Sequence, residues 1–375
     1  MEQNIRRILM TADIFGGVWT YTLDLAREFQ KLNIHVGIAA LGGTLDREQR
    51  REVFSIPDID VFESRFPLEW MNEPWSALEA GREWISKLEE NFAPDIIHLN
   101  SFCHRPVDPG CLQVIVAHSD VFSWYSAVLN KKPPPKWNRY YEEVQKSLNA
   151  VDLVIAPSKA ALRDLENQFG PLPNEKLSIP NGCREIEEIN VLKKNRILSV
   201  GRLWDEAKNI SALDKIAEQI PWPILVAGSA ESPMGEEVIL NHVFQLGHLP
   251  KDQLHYELAR ASIYVAPAKY EPFGLGILEA ALNGCALVLG DIPSLRENWD
   301  GACVFVDSNR PEEIKHALLD FISDPAKRKK FASLSQSRAQ EFTSKKMAGS
   351  YLDAYGSLLK KYGRASVSRE AACAF

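Results

Sequence analysis

Two glutamates, Glu271 and Glu279, enclose two glycines, Gly274 and Gly276, in the stretch Lys269-Tyr-Glu-Pro-Phe-Gly-Leu-Gly-Ile-Leu-Glu-Ala-Ala281. An apolar run, Ile263 to Pro267, precedes it and a helical pattern follows. A strand, a glycine turn and a helix start expose backbone amides that suit an anion. The flanking carboxylates suit hydroxyls, so the pair fits a ligand with a phosphate part and a sugar part. Glu279, on the helix, is placed to take both hydroxyls of a ribose, and Glu271, before the turn, lies nearer a reacting sugar. Each is equally a residue type favoured at a helix start by the helix dipole, and the turn breaks the helical spacing between them.

Other polar residues fall where strands should end. Gly201, Arg202 and Lys208 follow the run Ile197 to Val200; an arginine fork and a lysine point charge could hold a diphosphate that gains charge as a bond breaks. Read alone they are a solvated surface pair; beside the glycine turn they are expected in a site. Gly16 and Gly17 lie between the first strand and its helix, where small residues admit a ligand. Gly228 follows Ile224 to Ala227. Gly247-His248-Leu249 follows Val243 to Leu246, and its backbone could read the edge of a base. His118 closes Val114 to Ala117, either as a buried structural histidine or as a cleft residue whose near-neutral pKa permits proton transfer. Asn181-Gly182 reads as a turn that serves as a hinge or a cleft contact. The glycines do not form GxGxxG, and no acid ends the second strand, which argues against a nicotinamide cofactor. His98, His104 and His118 lack zinc spacing, and Asp58-Ile-Asp60 reads as a charged loop, so no metal site is assigned.

Positioning these residues requires two doubly wound units with a cleft between their strand ends. Strands are expected at Ile5–Met10, Val36–Leu41, Ile96–Leu99, Val114–Ala117, Leu153–Ala156 and Leu177–Ile179, with a helix from Val18 to Leu32 and another opening at Ser158. A second set falls at Ile197–Val200, Ile224–Ala227, Val243–Leu246, Ile263–Ala266, Ala286–Leu289 and Ala302–Phe305. Residues 58–94, with Trp70, Trp75 and Trp84, read as irregular. So do residues 121–140, with Trp124, Trp137 and a proline triplet among Lys131, Lys132 and Lys136. Those tryptophans either line an acceptor groove or pack between helices. The expected division is 1–188, 189–343, a helix at 344–362 bracing the halves, and a poorly ordered tail at 363–375.

The whole chain is 45% hydrophobic and 25% charged, which is globular composition, and its length of 375 residues favours two domains. A net charge of -7 argues against a nucleic-acid binder. Six cysteines without a CxxC pair suggest free thiols in a reducing compartment. No run approaches a membrane span, and the first residues do not read as a secretory signal. A cytoplasmic monomer or homodimer is expected, at most peripheral at the inner membrane face.

From Ile5 to about Leu359 the chain resembles the retaining glycosyltransferase family 4, and the most specific part is Glu271 to Glu279, which matches the family's E-x7-E motif. The resemblance implies the GT-B fold, an α/β pair of facing Rossmann-like domains with an interdomain cleft, the first half on the acceptor side and the second binding the donor. It implies that Glu271 contacts the donor sugar, Glu279 the ribose, and Arg202 and Lys208 the diphosphate. It matches Gly16-Gly17 to the family's glycine loop and His118 to its active-site histidine. Gly201, Gly228, His248, Leu249, Phe273, Gly274, Leu275 and Gly276 complete the expected donor-binding set. The commonest family pattern has one residue fewer between the arginine and the lysine. The implied reaction is metal-independent transfer of a hexosyl unit, with retention, from a UDP-sugar (UDP-glucose first, GDP- or ADP-sugars next) to a saccharide or lipid-linked saccharide. A nucleotide-sugar epimerase of the same architecture and a non-catalytic sugar-nucleotide binder are the alternatives.

Overall fold

The computed structural model describes residues 5–186, 189–233, 235 and 237–362; the tail expected at 363–375 lies outside them. The first sheet holds β1 (Arg7–Asp13), β2 (His35–Leu41), β3 (Ile59–Glu63), β4 (Ile96–Leu99), β5 (Leu112–Val116), β6 (Leu153–Ala156) and β7 (Glu175–Ser178). Its helices are α1 (Gly17–Lys31), α2 (Arg47–Val53), α3 (Trp75–Phe92), α4 (Val121–Trp124), α5 (Asn138–Ala150) and α6 (Lys159–Phe169). The second sheet holds β8 (Lys194–Val200), β9 (Ile224–Ala227), β10 (Phe244–Gly247), β11 (Ala261–Ala266), β12 (Ala286–Gly290) and β13 (Val304–Val306). Its helices are α7 (Ile210–Ile216), α8 (Lys251–Arg260), α9 (Leu275–Leu282), α10 (Pro293–Trp299), α11 (Pro311–Ser323) and α12 (Pro325–Ala339), and α13 (Ser344–Lys361) closes the described chain.

Strand order is β3-β2-β1-β4-β5-β6-β7 in one sheet and β10-β9-β8-β11-β12-β13 in the other, and every named pairing is parallel. The order reverses at β1/β4 and at β8/β11, so each sheet has its topological switch point there. Central strands buried on both faces explain the unbroken apolar runs of the sequence: Ile96 to Leu99, Leu153 to Ala156 and Ala286 to Gly290 are wholly buried.

Two segments differ from expectation. Within residues 58–94 the stretch 64–74, which holds Trp70, is irregular as expected; β3 and the 18-residue α3 flank it. β3 is an edge strand, partly exposed at every position, and Asp60 pairs with His35 at 2.8 Å, so its charges hid it. Only Leu78, Gly81, Ile85, Leu88 and Phe92 of α3 are buried, a thin stripe that polar residues interrupt. In residues 121–140, α4 runs into a single π-helical turn, Tyr125–Leu129, and the proline triplet then leads into α5. Trp70 packs edge-on to Phe15, Trp84 lies against Phe66, and Arg139 sits over Trp75.

Helix α12 packs on β12 and α9, whereas α13 returns to α1. Met347, Tyr351, Leu352, Tyr355 and Leu358 enter the same core as Tyr21, Leu25 and Phe29. The Tyr355 hydroxyl lies 2.5 Å from His98 Nδ1 in the interior. Asn181-Gly182 lies under the start of α13: a Cβ on Gly182 would stand 2.3 Å from the Thr343 carbonyl oxygen. Tyr355→Phe strands a buried ring nitrogen, and its expected cost is about 1–3 kcal/mol. A urea midpoint unchanged from wild type would contradict this placement.

Candidate active site

The carboxyl ends of the two switch points face each other. After β8 the chain makes a compact turn: Leu203 N–H donates to the Ser229 carbonyl, Asp205 N–H to Arg202, and Lys208 N–H to Asp205. Asn209, in the left-handed region with φ 55, pins the end of that turn. Its amide donates to the carbonyls of Pro267 (3.0 Å) and Ser308 (2.7 Å). Lys269 N–H donates to the Ala207 carbonyl and joins this turn to the one after β11. Lys208 and Glu271 therefore meet, Nζ on Oε2, as a partly buried ion pair. Arg202 Nη2 binds Asp205 Oδ2 at 2.7 Å, with its guanidinium 5.4 Å from the Trp204 ring centre.

Glycines make these approaches possible. A Cβ on Gly228 would fall 1.8 Å from the Gly201 carbonyl oxygen, and Gly228 N–H donates to Gly247. Gly274, at φ 92, starts α9, and a Cβ on Gly276 would press on the Tyr264 hydroxyl at 2.9 Å. The first amides of a helix have no partner within it, so the Leu275-Gly276 end suits an anion. Gly16-Gly17 lies opposite: a Cβ on Gly17 would stand 3.5 Å from Leu275 Cδ1.

Glu279 lies on α9, buried, 4.0 Å from His255 Nε2. The Phe273 side chain is buried and packs edge-on to Phe342, so its backbone is what borders the turn. Gly247 and His248 are exposed and Leu249 half-buried at the end of β10.

His118 follows β5, partly open, with its ring edge-on to Tyr21. Its Nε2 lies 2.8 Å from Asn100 Oδ1. Asn100 directs its own amide to the Thr11 carbonyl (2.6 Å) and to Thr22 Oγ1 (3.2 Å). The Asn100 oxygen therefore accepts from the imidazole, which places the proton on Nε2 and leaves Nδ1 as an acceptor. Burial, with His98 beside it, pushes the His118 pKa down to about 3. That direction differs from the near-neutral titration expected of His118 and favours a neutral hydrogen-bonding group.

Asp13, Asn100 and Asp205 are the site-lining residues that sequence reasoning missed. Asp13 ends β1 and accepts from Phe15 N–H at 2.7 Å. Burial raises it to about 7, against the Phe15 bond and the charge of Arg202. Its signal was an acid at a strand end beside a glycine pair. Asp205 is 4% exposed; burial alone would raise it, but Arg202, Lys208 and the N–H donors of Trp124 and Ala207 together hold it below the usual carboxylate range. Among the described residues, no group of three or more His, Cys, Asp or Glu is placed to hold a metal, and no helix is long and apolar enough to cross a membrane.

Residues 15–184 match the family model Glycosyltransferase Family 4, and residues 184–338 match Glycosyl transferases group 1. The sucrose-phosphate synthase of Thermosynechococcus elongatus superposes with a TM-score of 0.78 at 16% identity, covering 95% of this chain and 100% of that one. The chain has the GT-B fold, and each of its halves matches a glycosyltransferase family model. This GT-B protein is 31% identical over 110 residues to O-antigen chain mannosyltransferase B of Escherichia coli, 29% of each chain. It is 23% identical over 292 residues to the poly(glycerol-phosphate) alpha-glucosyltransferase of Bacillus subtilis, 71% of this chain and 41% of that one. The matches thus span less than half the length of either relative.

Within the GT-B cleft, Asp13 should report its own burial. It ionises near 3.8 in a model peptide and near 7 in the fold, so its ionisation costs stability that is absent below the first value and complete above the second. The melting advantage of Asp13→Asn over wild type is expected to grow from pH 4 to pH 8. A margin independent of pH would contradict the raised value.

Proposed function

We propose that the protein is a retaining glycosyltransferase of family 4. It moves a hexosyl unit from a nucleotide diphosphate sugar, UDP-glucose as first choice, to a hydroxyl of a saccharide or polysaccharide precursor. The carrying observation is the placement of Arg202 and Lys208 on one turn at a switch point, each neutralised by a carboxylate, Asp205 from the same turn and Glu271 from the adjoining one. A diphosphate entering there finds two cations already aimed and the Leu275-Gly276 amides beside them. The names of the relatives, one an O-antigen chain mannosyltransferase and the other a poly(glycerol-phosphate) glucosyltransferase, support a polymer or its precursor as acceptor.

In this reading residues 189–343 bind the donor and residues 1–188 face the acceptor. Glu279 takes the ribose hydroxyls, and the backbone at Gly247 to Leu249 borders the base. Glu271 turns from Lys208 to the sugar, and His118 Nδ1 accepts from a sugar hydroxyl. The bond from the anomeric carbon to the phosphate oxygen breaks as the acceptor oxygen bonds to the same face. The acceptor proton passes to the departing phosphate, and same-face attack retains configuration. Arg202, Lys208 and the amides carry the leaving charge, so a metal ion is not required. The closed cleft keeps water from the donor.

Melting shifts with UDP-, GDP- and ADP-sugars identify the donor, because a ligand of the folded state raises its stability. Turnover is then followed with saccharide acceptors. Arg202→Ala is expected to lower kcat/KM by roughly 10²–10³-fold, the usual effect of losing one donor to developing charge. An unchanged kcat/KM, or epimerised donor formed without any acceptor, would overturn the reading.

A further inference from the structure

Asp205, between Arg202 and Lys208, has a partner in the other half of the molecule. The Trp124 indole N–H donates to Asp205 Oδ1 at 2.9 Å. Asp205 Oδ2 accepts from Arg202 at 2.7 Å, and Ala207 N–H donates to Oδ1 at 3.0 Å. The carboxylate is nearly inaccessible to solvent, so its two oxygens are spoken for by groups from both halves. Trp124 ends α4, whose N-cap Asp120 accepts from Ser123 N–H at 2.8 Å and stands two residues after His118. The same residue opens the exposed π-helical turn that leads to Lys131, Lys132 and Lys136.

We infer that Trp124 and Asp205 are positioning residues that aim Arg202 at the donor diphosphate when the half carrying His118 closes over the donor half. The inference rests on the transferase reading. The indole bond forms only with the two halves together, and the guanidinium is held through the far side of the same carboxylate. Opening the cleft removes one donor from Asp205, so the carboxylate that holds Arg202 is less firmly fixed. Closure by the acceptor-side half thereby orients the group that stabilises the leaving phosphate, and donor cleavage is tied to the presence of that half. A contact serving cohesion alone would lower stability and leave the chemical step untouched.

Trp124→Phe keeps the ring and deletes the donor; Asp205→Asn keeps an acceptor for the indole and deletes the charge on Arg202. Both are assayed with UDP-glucose, UDP-N-acetylglucosamine, GDP-mannose and ADP-glucose, with and without acceptor, for the donor that wild type consumes. Expected for Trp124→Phe is a kcat lower by roughly 10- to 100-fold, the size of one hydrogen bond to a charged group. Its donor KM should change little, and a larger share of consumed donor should be hydrolysed rather than transferred. A melting loss with unchanged kcat and unchanged partition would overturn the inference. Independently of any donor, the Trp124 indole resonance, assigned by its loss in Trp124→Phe, is expected to move in Asp205→Asn. An unmoved resonance would sink the pairing. A wild-type protein that turns over no nucleotide sugar would defeat the transferase reading, while the resonance still decides the pairing.

Discussion

A parallel sheet whose strand order reverses must leave a crevice at its carboxyl edge, because the connections on either side run off to opposite faces. This chain builds two such edges, at β1/β4 and at β8/β11, and sets them opposite one another. The rest of the structure depends on that juxtaposition. Gly16-Gly17 comes from one edge; Arg202, Lys208 and Glu271 come from the other. None of these residues does chemistry by its own placement. The cleft is made by topology and furnished by the loops that leave each strand.

Holding two cations at one strand edge without a ligand is a charge problem, and the loops resolve it locally. Lys208 rests on Glu271 and Arg202 on Asp205, so the buried carboxylates are never left without a partner, which would be strongly unfavourable. The halves are stitched by similar means. Glu297 accepts the Lys159 and Ala160 amides at the start of α6 at 2.8 and 2.9 Å, and Ser158 donates to the Pro272 carbonyl at 2.9 Å, one residue past Glu271. Lys251 N–H reaches Glu48 at 3.0 Å. Polar stitches of this kind suit a cleft that opens and closes, since each can be exchanged for water at small cost.

Both sheets were legible in the sequence because their central strands are apolar on both faces, and α9 was legible because Gly274 and Gly276 punctuate it. Their ends shifted by a few residues, as at β1, where the run Ile5 to Met10 proves to be Arg7–Asp13. The edge strand β3 and the narrow-striped α3 were not legible, since half-exposed elements carry charges that mimic a loop. Among the site residues, most of those at strand ends could be found from spacing, though Asp13 at the end of β1 was missed. Asp205 and Asn100 could not, because their roles lie in long-range hydrogen bonds: to Trp124, 81 positions away, and to Thr11, 89 positions away. The lowered pKa of His118 was likewise hidden, since it follows from burial and the neighbouring His98 rather than from residue type.

The central claim is that a nucleotide diphosphate takes the place of Glu271 on Lys208 and binds Arg202 while Asp205 still holds it. A crystal structure of the protein with UDP tests it most directly. Expected are phosphate oxygens within hydrogen-bonding distance of both cations and of the Leu275-Gly276 amides, the Lys208–Glu271 pair parted, and the ribose on Glu279. A diphosphate bound elsewhere, with the Lys208–Glu271 pair intact, would contradict it.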